Sequence, residues 1–193
     1  MTSVLIHRKL SIIITAVEII DELGIQGLST REISKRQGMS EGALFKHFKN
    51  KNELLLAVLD HFSQYDEDII QSTKIKKMSP SAAIVFFMKS FATYYENYPA
   101  ITAIDQSYDV LRYDPQLEGK VKEIFNNRIG FIKDMLDKAQ GAGEIAAYVN
   151  SESLSEIIYG SYSTLVLKWR INNRNFPLRE RVVSTLETIL QAF

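Results

Sequence analysis

Apolar residues recur every three or four positions through most of this chain, and no stretch alternates with period two for long enough to compete with a helix. From about His7 to Leu23, the positions Leu10, Ile13, Val17, Ile20 and Leu23 form one helical stripe, and Gly24 supplies a stop. Ile12, Ile14 and Ile19 exceed what one stripe uses, so this first helix asks for cover on a second side. Ile25 and Leu28 then fasten the next element against it. Ser29 followed by Glu32 is a capping-box pattern that starts helix two. That helix runs past Ile33 and Gln37 to Gly38, which can take the left-handed conformation that ends a helix. Met39 packs inward across the turn, and Ser40 caps a third helix with Leu44 and Phe48 on one face. Glu41, Gly42, Ala43 and Lys46 lie on its other, polar or small, face.

Asn50 and Glu53 repeat the capping-box pattern and launch a long connector helix. Leu54 and Leu55 are placed to pack on the helices before it, and Phe62, Tyr65, Ile69 and Ile70 on the helices after it. Ser79-Pro80 opens an unusually aromatic helix that Pro99 ends. A helix around Ala100 to Arg112 comes next, and Asp114-Pro115 caps a longer one that stops at Gly141 and Gly143. Two last helices, about Ser151 to Asn172 and Pro177 to Ala192, complete an all-α chain of about nine helices. Residues 1–50 are expected to form a helix-turn-helix head, and residues 51–193 a larger helical body.

Two short helices around a glycine turn also occur in proteins that never touch DNA, so the side chains have to decide. Through Lys51 the chain carries eight lysines and arginines against five acidic residues, a net charge of +3, whereas the whole chain balances 23 basic against 23 acidic. A positive head on a mildly acidic body fits phosphate binding at one end only.

The run from Leu28 to Lys51, L-S-T-R-E-I-S-K-R-Q-G-M-S-E-G-A-L-F-K-H-F-K-N-K, resembles the DNA-binding signature of TetR-family transcriptional regulators. The resemblance is specific from roughly His7 to Leu56, and beyond that it extends only to helical character and length. It implies that Thr30 bonds a phosphate and that Arg31 reaches a base edge or a phosphate. It places Glu41, Gly42, Ala43 and Lys46 where bases are read, Ser40, Phe45 and His47 against the backbone, and Lys51 on a phosphate. Phe45 departs from the tyrosine common in the family, which removes a hydroxyl-to-phosphate bond and costs a little affinity.

In the body, Phe87, Phe91, Tyr94 and Tyr95, facing Tyr108, Phe125, Ile129, Tyr159 and Tyr162, can line a mostly apolar cavity for a small, partly apolar organic effector. The competing reading is plain core packing, to which aromatic stripes at helical spacing equally belong. Arg112, Arg128 and Lys133 are alternatives for receiving an acidic group. In the last two helices, Ile158, Leu165, Trp169, Val182, Leu186 and Ile189 offer apolar surface for a four-helix bundle with a second copy, and Gly160, Ser161 and Ser163 would let a helix approach closely. The alternative is that this surface closes the monomer's own core.

Little supports catalysis. His7, His47 and His61 show no metal-ligand spacing, there is no cysteine, and Asp66 and Asp68 read as a solvated pair on an exposed helix. No metal or other cofactor is expected. No apolar run approaches the roughly 20 residues needed to span a bilayer, and the first residues lack a secretory pattern, so a cytoplasmic protein is expected. The resulting expectation is a homodimeric, non-enzymatic regulator, a repressor released from a palindromic DNA operator by its effector. Its rival is a helical carrier or protein-interaction module with a vestigial head.

Overall fold

The computed structural model describes the backbone of residues 2–193 and the side chains of residues 7–193. The described residues form ten α-helices and one 3₁₀ turn, with no strand among them. They group into two compact units, one of residues up to Gln64 together with Ala100–Glu123, the other of Tyr65–Pro99 together with Ile124–Phe193.

In the first unit, α1 (Thr2–Gly27) packs on α2 (Thr30–Gln37) and on α6 (Thr102–Asp105), and α2 packs on α3 (Glu41–Phe45). This two-sided cover answers the excess of isoleucines in α1 but turns the expected stripe. Ile12, Ala16 and Ile19 are fully buried at its centre, Val17 and Ile20 flank them, and Leu10 and Leu23 at the two ends are exposed. Thr15 joins the buried arc because Gln37 Nε2 donates to its hydroxyl at 2.7 Å and to the Ser11 carbonyl at 3.2 Å. Helical geometry is interrupted at Gly24, with φ 72° and ψ 175°, as its sequence position predicts. The chain then folds back so tightly that a Cβ on Gly27 would stand 2.3 Å from that of Leu23.

Helix α4 (Lys51–Ile75) starts at Asn50, whose side-chain oxygen accepts from the Glu53 N–H at 2.8 Å. The Glu53 carboxylate in turn accepts from the Lys49 N–H at 2.7 Å, so the capping box closes one residue further out than usual. Leu54, Leu55, Val58, Leu59 and Phe62 are buried along α4 in the first unit. The same helix continues into the second unit, as does α8 (Glu118–Gly141).

The single helix expected over 100–112 is divided into a 3₁₀ turn at Pro99–Ile101, α6, and α7 (Tyr108–Leu111). Ser107 Oγ donates to the Ala103 carbonyl at 2.6 Å, competing with the backbone ladder, and the Ser107 N–H turns to Ile104 instead. This division accounts for ten helices where about nine were expected. Asp114 likewise caps a turn rather than α8 itself, accepting from the Gln116 N–H at 2.9 Å and from the Asn52 amide at 2.8 Å.

In the second unit, α10 (Leu178–Leu190) packs on α5 (Pro80–Asn97) and on α9 (Ser151–Ile171). Pro80 occupies the first turn of α5, and Glu144 reaches across to accept from the Ser81 N–H at 2.9 Å. Glu96 does the same for the Arg179 N–H at 3.0 Å, so carboxylates from elsewhere in the unit satisfy the starts of both helices.

Candidate nucleic-acid interface and aromatic core

Local chemistry sets the angle of the head. Ser29, in extended backbone, accepts from the Glu32 N–H at 3.1 Å and starts α2, but the Glu32 carboxylate turns to Arg36 instead of completing the box. Gly38 ends α2 with φ 60° and ψ 37°, a conformation that a side chain would strain. Ser40 then accepts from the Ala43 N–H at 3.2 Å, and α3 begins after the three residues that follow α2. Ile33, Leu44 and Phe48 are buried behind the two helices, and Met39 is half-buried at the turn.

On the outer side, Arg31, Ser40, Glu41, Gly42, Phe45, Lys46 and Lys51 are exposed, while Thr30, Ala43 and His47 are half-buried. Phe45 leaves 47% of its surface in solvent. Arg31, Lys35, Lys46 and Lys49 carry no ion pair among the described residues. Arg36 is different. It binds Glu22 at 2.8 Å and Glu32 at 2.9 Å, and those hydrogen bonds raise its already high pKa while the one from Arg36 holds the Glu32 carboxyl below the ordinary carboxylate value.

Two residues assigned to phosphates by resemblance have intramolecular acceptors. Thr30 Oγ1 donates to the Glu41 carboxylate at 2.5 Å, and Lys51 Nζ donates to the Ile25 carbonyl at 3.2 Å. A further cation, Lys9, stands 5.5 Å over the Phe48 ring; nothing in the local pattern of α1 marks it out.

In the second unit the aromatic residues pack on one another. Phe87 meets Phe91 at 4.8 Å and Phe131 at 4.6 Å, Tyr162 lies 6.4 Å from Phe91 and 6.0 Å from Tyr95, and Tyr159 lies 5.4 Å from Phe125. Phe87, Phe91, Tyr95, Tyr159 and Tyr162 are buried, Tyr94 and Ile129 are half-buried, and Phe125 is largely exposed. Tyr108 belongs to the first unit, where its ring lies 6.5 Å from Phe62. Burial, with Tyr65 and Asp66 close by, pushes the Tyr94 hydroxyl above its ordinary pKa. Phe131 is the member of this cluster that the spacing of the sequence did not single out.

Asp66 corrects the sequence reading. It is 5% exposed rather than solvated, because Arg128 from α8, itself 1% exposed, meets it with two hydrogen bonds and lies 4.5 Å over the Phe91 ring. Arg112 and Lys133, the other cations considered for an acidic group, are at the surface and paired with Asp109 and Asp137.

Of the residues offered for dimerisation, Ile158, Trp169, Val182 and Leu186 are buried within the unit, and Leu165 and Ile189 are half-buried. Trp169 Nε1 donates to the Phe176 carbonyl at 2.8 Å. Met88, Ile158, Leu165, Val182 and Leu186 line a recess of about 10 Å³, room for about one water. The apolar residues of α9 left in solvent are Ile157, Leu167 and Ile171. Among the described residues, no three His, Asp or Glu side chains gather where a metal could be held, and no helix is long and apolar enough to cross a membrane.

A glycine-turned helix pair with an exposed, basic outer side, built into a larger all-α chain, has the architecture of helix-turn-helix DNA-binding regulators. The family model for bacterial regulatory proteins of the tetR family matches residues 12–58, and that of the YsiA-like protein C-terminal region matches residues 60–192. The chain belongs to the TetR family of transcriptional regulators, and its role is regulatory rather than catalytic. It is 23% identical over 184 residues to the fatty acid metabolism regulator protein of Bacillus subtilis (strain 168), covering 95% of this chain and 94% of that one. It is 22% identical over 190 residues to the HTH-type transcriptional repressor BepR of Brucella suis biovar 1, covering 94% and 91%. Its fold matches the crystal structure of the Bacillus subtilis regulator FadR in complex with stearoyl-CoA, with a TM-score of 0.82 at 21% identity over 95% of this chain and 98% of that one.

Proposed function

We propose that this chain is a homodimeric repressor whose two heads bind a palindromic operator, with half-sites about one DNA turn, ~34–36 Å, apart. Residues 1–50 form the reading head, and residues 51–193 bind the effector and pair the subunits. The observation that carries this reading is the outer side of α2 and α3, where Arg31, Glu41, Gly42, Phe45 and Lys46 are exposed while Ile33, Leu44 and Phe48 hold the helices from behind. Arg31 and Lys46 read bases or bond phosphates, Phe45 packs on the backbone, and His47 and Lys51 bond phosphates.

Pairing runs through α9 and α10. Because Ile158, Trp169, Val182 and Leu186 are covered within the unit, the surface offered to a second copy is the stripe Ile157, Gly160, Leu167 and Ile171, whose spacing puts all four on one face of α9. Leu165 and Ile189 lie at its half-buried margin.

The effector is an organic molecule with a substantial apolar part, taken up among Phe87, Phe91, Tyr94, Tyr95, Tyr159 and Tyr162. These rings are in mutual contact, so binding favours a conformation in which they part, and the operator-competent spacing of the heads loses population. Helix α4, which holds residues of both units, carries the change. Stearoyl-CoA in the Bacillus subtilis FadR crystal makes a long-chain acyl thioester the first compound to try. Once an operator has been selected from random duplex DNA, saturating stearoyl-CoA is expected to weaken its binding tenfold or more, with the dimer intact by light scattering. Effector binding that leaves operator affinity unchanged would sink this mechanism.

A further inference from the structure

We infer that Glu41, held in place by Thr30, selects a cytosine in each half-site. This rests on the head being an operator-binding surface. Thr30 and Glu41 are the first residues of α2 and α3, and the 2.5 Å from Oγ1 to Oε2 is in the range of a hydroxyl bonded to an ionised carboxylate. A threonine hydroxyl has a single proton, so while Thr30 donates to Glu41 it has none to give a phosphate. Thr30 is therefore a positioning residue, in contrast to the role its resemblance implies.

The carboxylates in the first turns of α2 and α4 are spent: Glu32 accepts from Arg36, and Glu53 from the Lys49 N–H. Glu41 is exposed and, among the described residues, paired with no lysine or arginine. Its carboxylate keeps acceptor sites open on the outer side of α3. The side chains of Gly42 and Ala43 beside it bring no hydrogen-bonding group, and a Cβ on Gly42 would meet only Ser40 Oγ, at 3.9 Å, so a base edge can come close. An ionised carboxylate only accepts, and it is repelled by the phosphates on either side of a groove. In the major groove, guanine presents two acceptors, thymine an acceptor and a methyl group, and adenine a donor beside an acceptor. Cytosine presents the N4 amino group alone, which makes it the edge that suits Glu41.

The test is selection of bound sequences from random duplex DNA at fixed salt, using the full chain and its Glu41→Gln, Glu41→Ala and Thr30→Val variants. The unaltered protein is expected to enrich a palindrome with cytosine at one defined position per half-site. Glu41→Gln moves that position to adenine, whose N6 and N7 suit an amide, and Glu41→Ala loses the preference there, by roughly tenfold to a hundredfold. Thr30→Val blurs the cytosine preference without changing the dependence of affinity on salt. If the glutamate variants keep cytosine, or if Thr30→Val lowers the salt slope by about one phosphate contact, the inference is overturned while the operator reading stands. If the unaltered protein enriches no sequence at all, the operator reading fails and takes this inference with it.

Discussion

Arg128 approaches Asp66 side-on, with Nε 2.6 Å from Oδ2 and Nη2 3.0 Å from Oδ1, and both side chains are almost wholly buried. The pair joins α4 to α8 within the second unit, and the guanidinium lies over Phe91 in the middle of the aromatic cluster proposed for the effector. Two charges held this way cost desolvation that hydrophobic residues would avoid, and the pair links one face of α4 to one face of α8. An apolar guest entering beside them meets a neutralised pair rather than a bare cation. This supports an effector whose apolar part does the docking.

Removal of one partner should therefore be far more damaging than removal of both. Arg128→Met alone leaves Asp66 buried without its bidentate partner and is expected to cost about 3–5 kcal/mol of stability in urea unfolding. Adding Asp66→Leu should recover most of that loss, because the double variant buries two apolar side chains of similar reach. An unmoved unfolding midpoint for Arg128→Met alone would show that the pair is not the buried contact described.

Lys46 and Lys51 separate the regulator from the carrier with a vestigial head. Replacing both by alanine is expected to weaken operator binding and to lower the slope of log affinity against log salt by about two. Lys51 also donates to the Ile25 carbonyl, so the thermal midpoint has to be compared in the same preparation. Loss of affinity without a change in salt slope would mean that the head had been loosened rather than its phosphate contacts removed.

Phe45 offers a gain-of-function test. Its ring is already largely exposed beside Lys46, and Phe45→Tyr adds at the ring's far end the hydroxyl that the family's common residue supplies. One added hydrogen bond to phosphate contributes about 0.5–1.5 kcal/mol net, so operator affinity should rise roughly threefold to tenfold. Equal affinity for both proteins would place residue 45 away from the backbone.

The parts of the head that were legible in the sequence are those whose physics is local. Ser29, Gly38 and Ser40 act on backbone groups within three or four residues of themselves, and each does in the fold what its position indicates. Readings that depended on which side of a helix would be covered went astray. Ala16 and Thr15 lie at the buried centre of α1, one too small to count in an apolar stripe and the other polar, its hydroxyl satisfied there by Gln37. Asp66 looked solvated because its partner stands 62 positions away, and nothing in the residues around either one announces the pair. At the break before α7 the Ser107 hydroxyl donates to the Ala103 carbonyl and its N–H to Ile104, an arrangement that no local pattern announces.

Gly160 gives the sharpest test of pairing, because the demands of the monomer and of the dimer diverge there. It is exposed in α9, and a Cβ added to it would find nothing within 4 Å inside the chain. A large side chain is thus accommodated by the isolated subunit, and replacing a mid-helix glycine removes a helix-weakening residue as well. In the proposed four-helix bundle the same position faces the α9 of the other copy, where helices pack about 8–10 Å apart and an indole would hold them further away. Gly160→Trp should leave the far-UV circular dichroism of the chain helical and convert the dimer to monomer by light scattering. Operator affinity should fall with it, since each head is left to bind a half-site alone. Leu167→Glu, on the same face, is expected to act in the same direction by placing a charge in the seam. A Gly160→Trp protein that remains dimeric would put the partner surface elsewhere than on this face of α9.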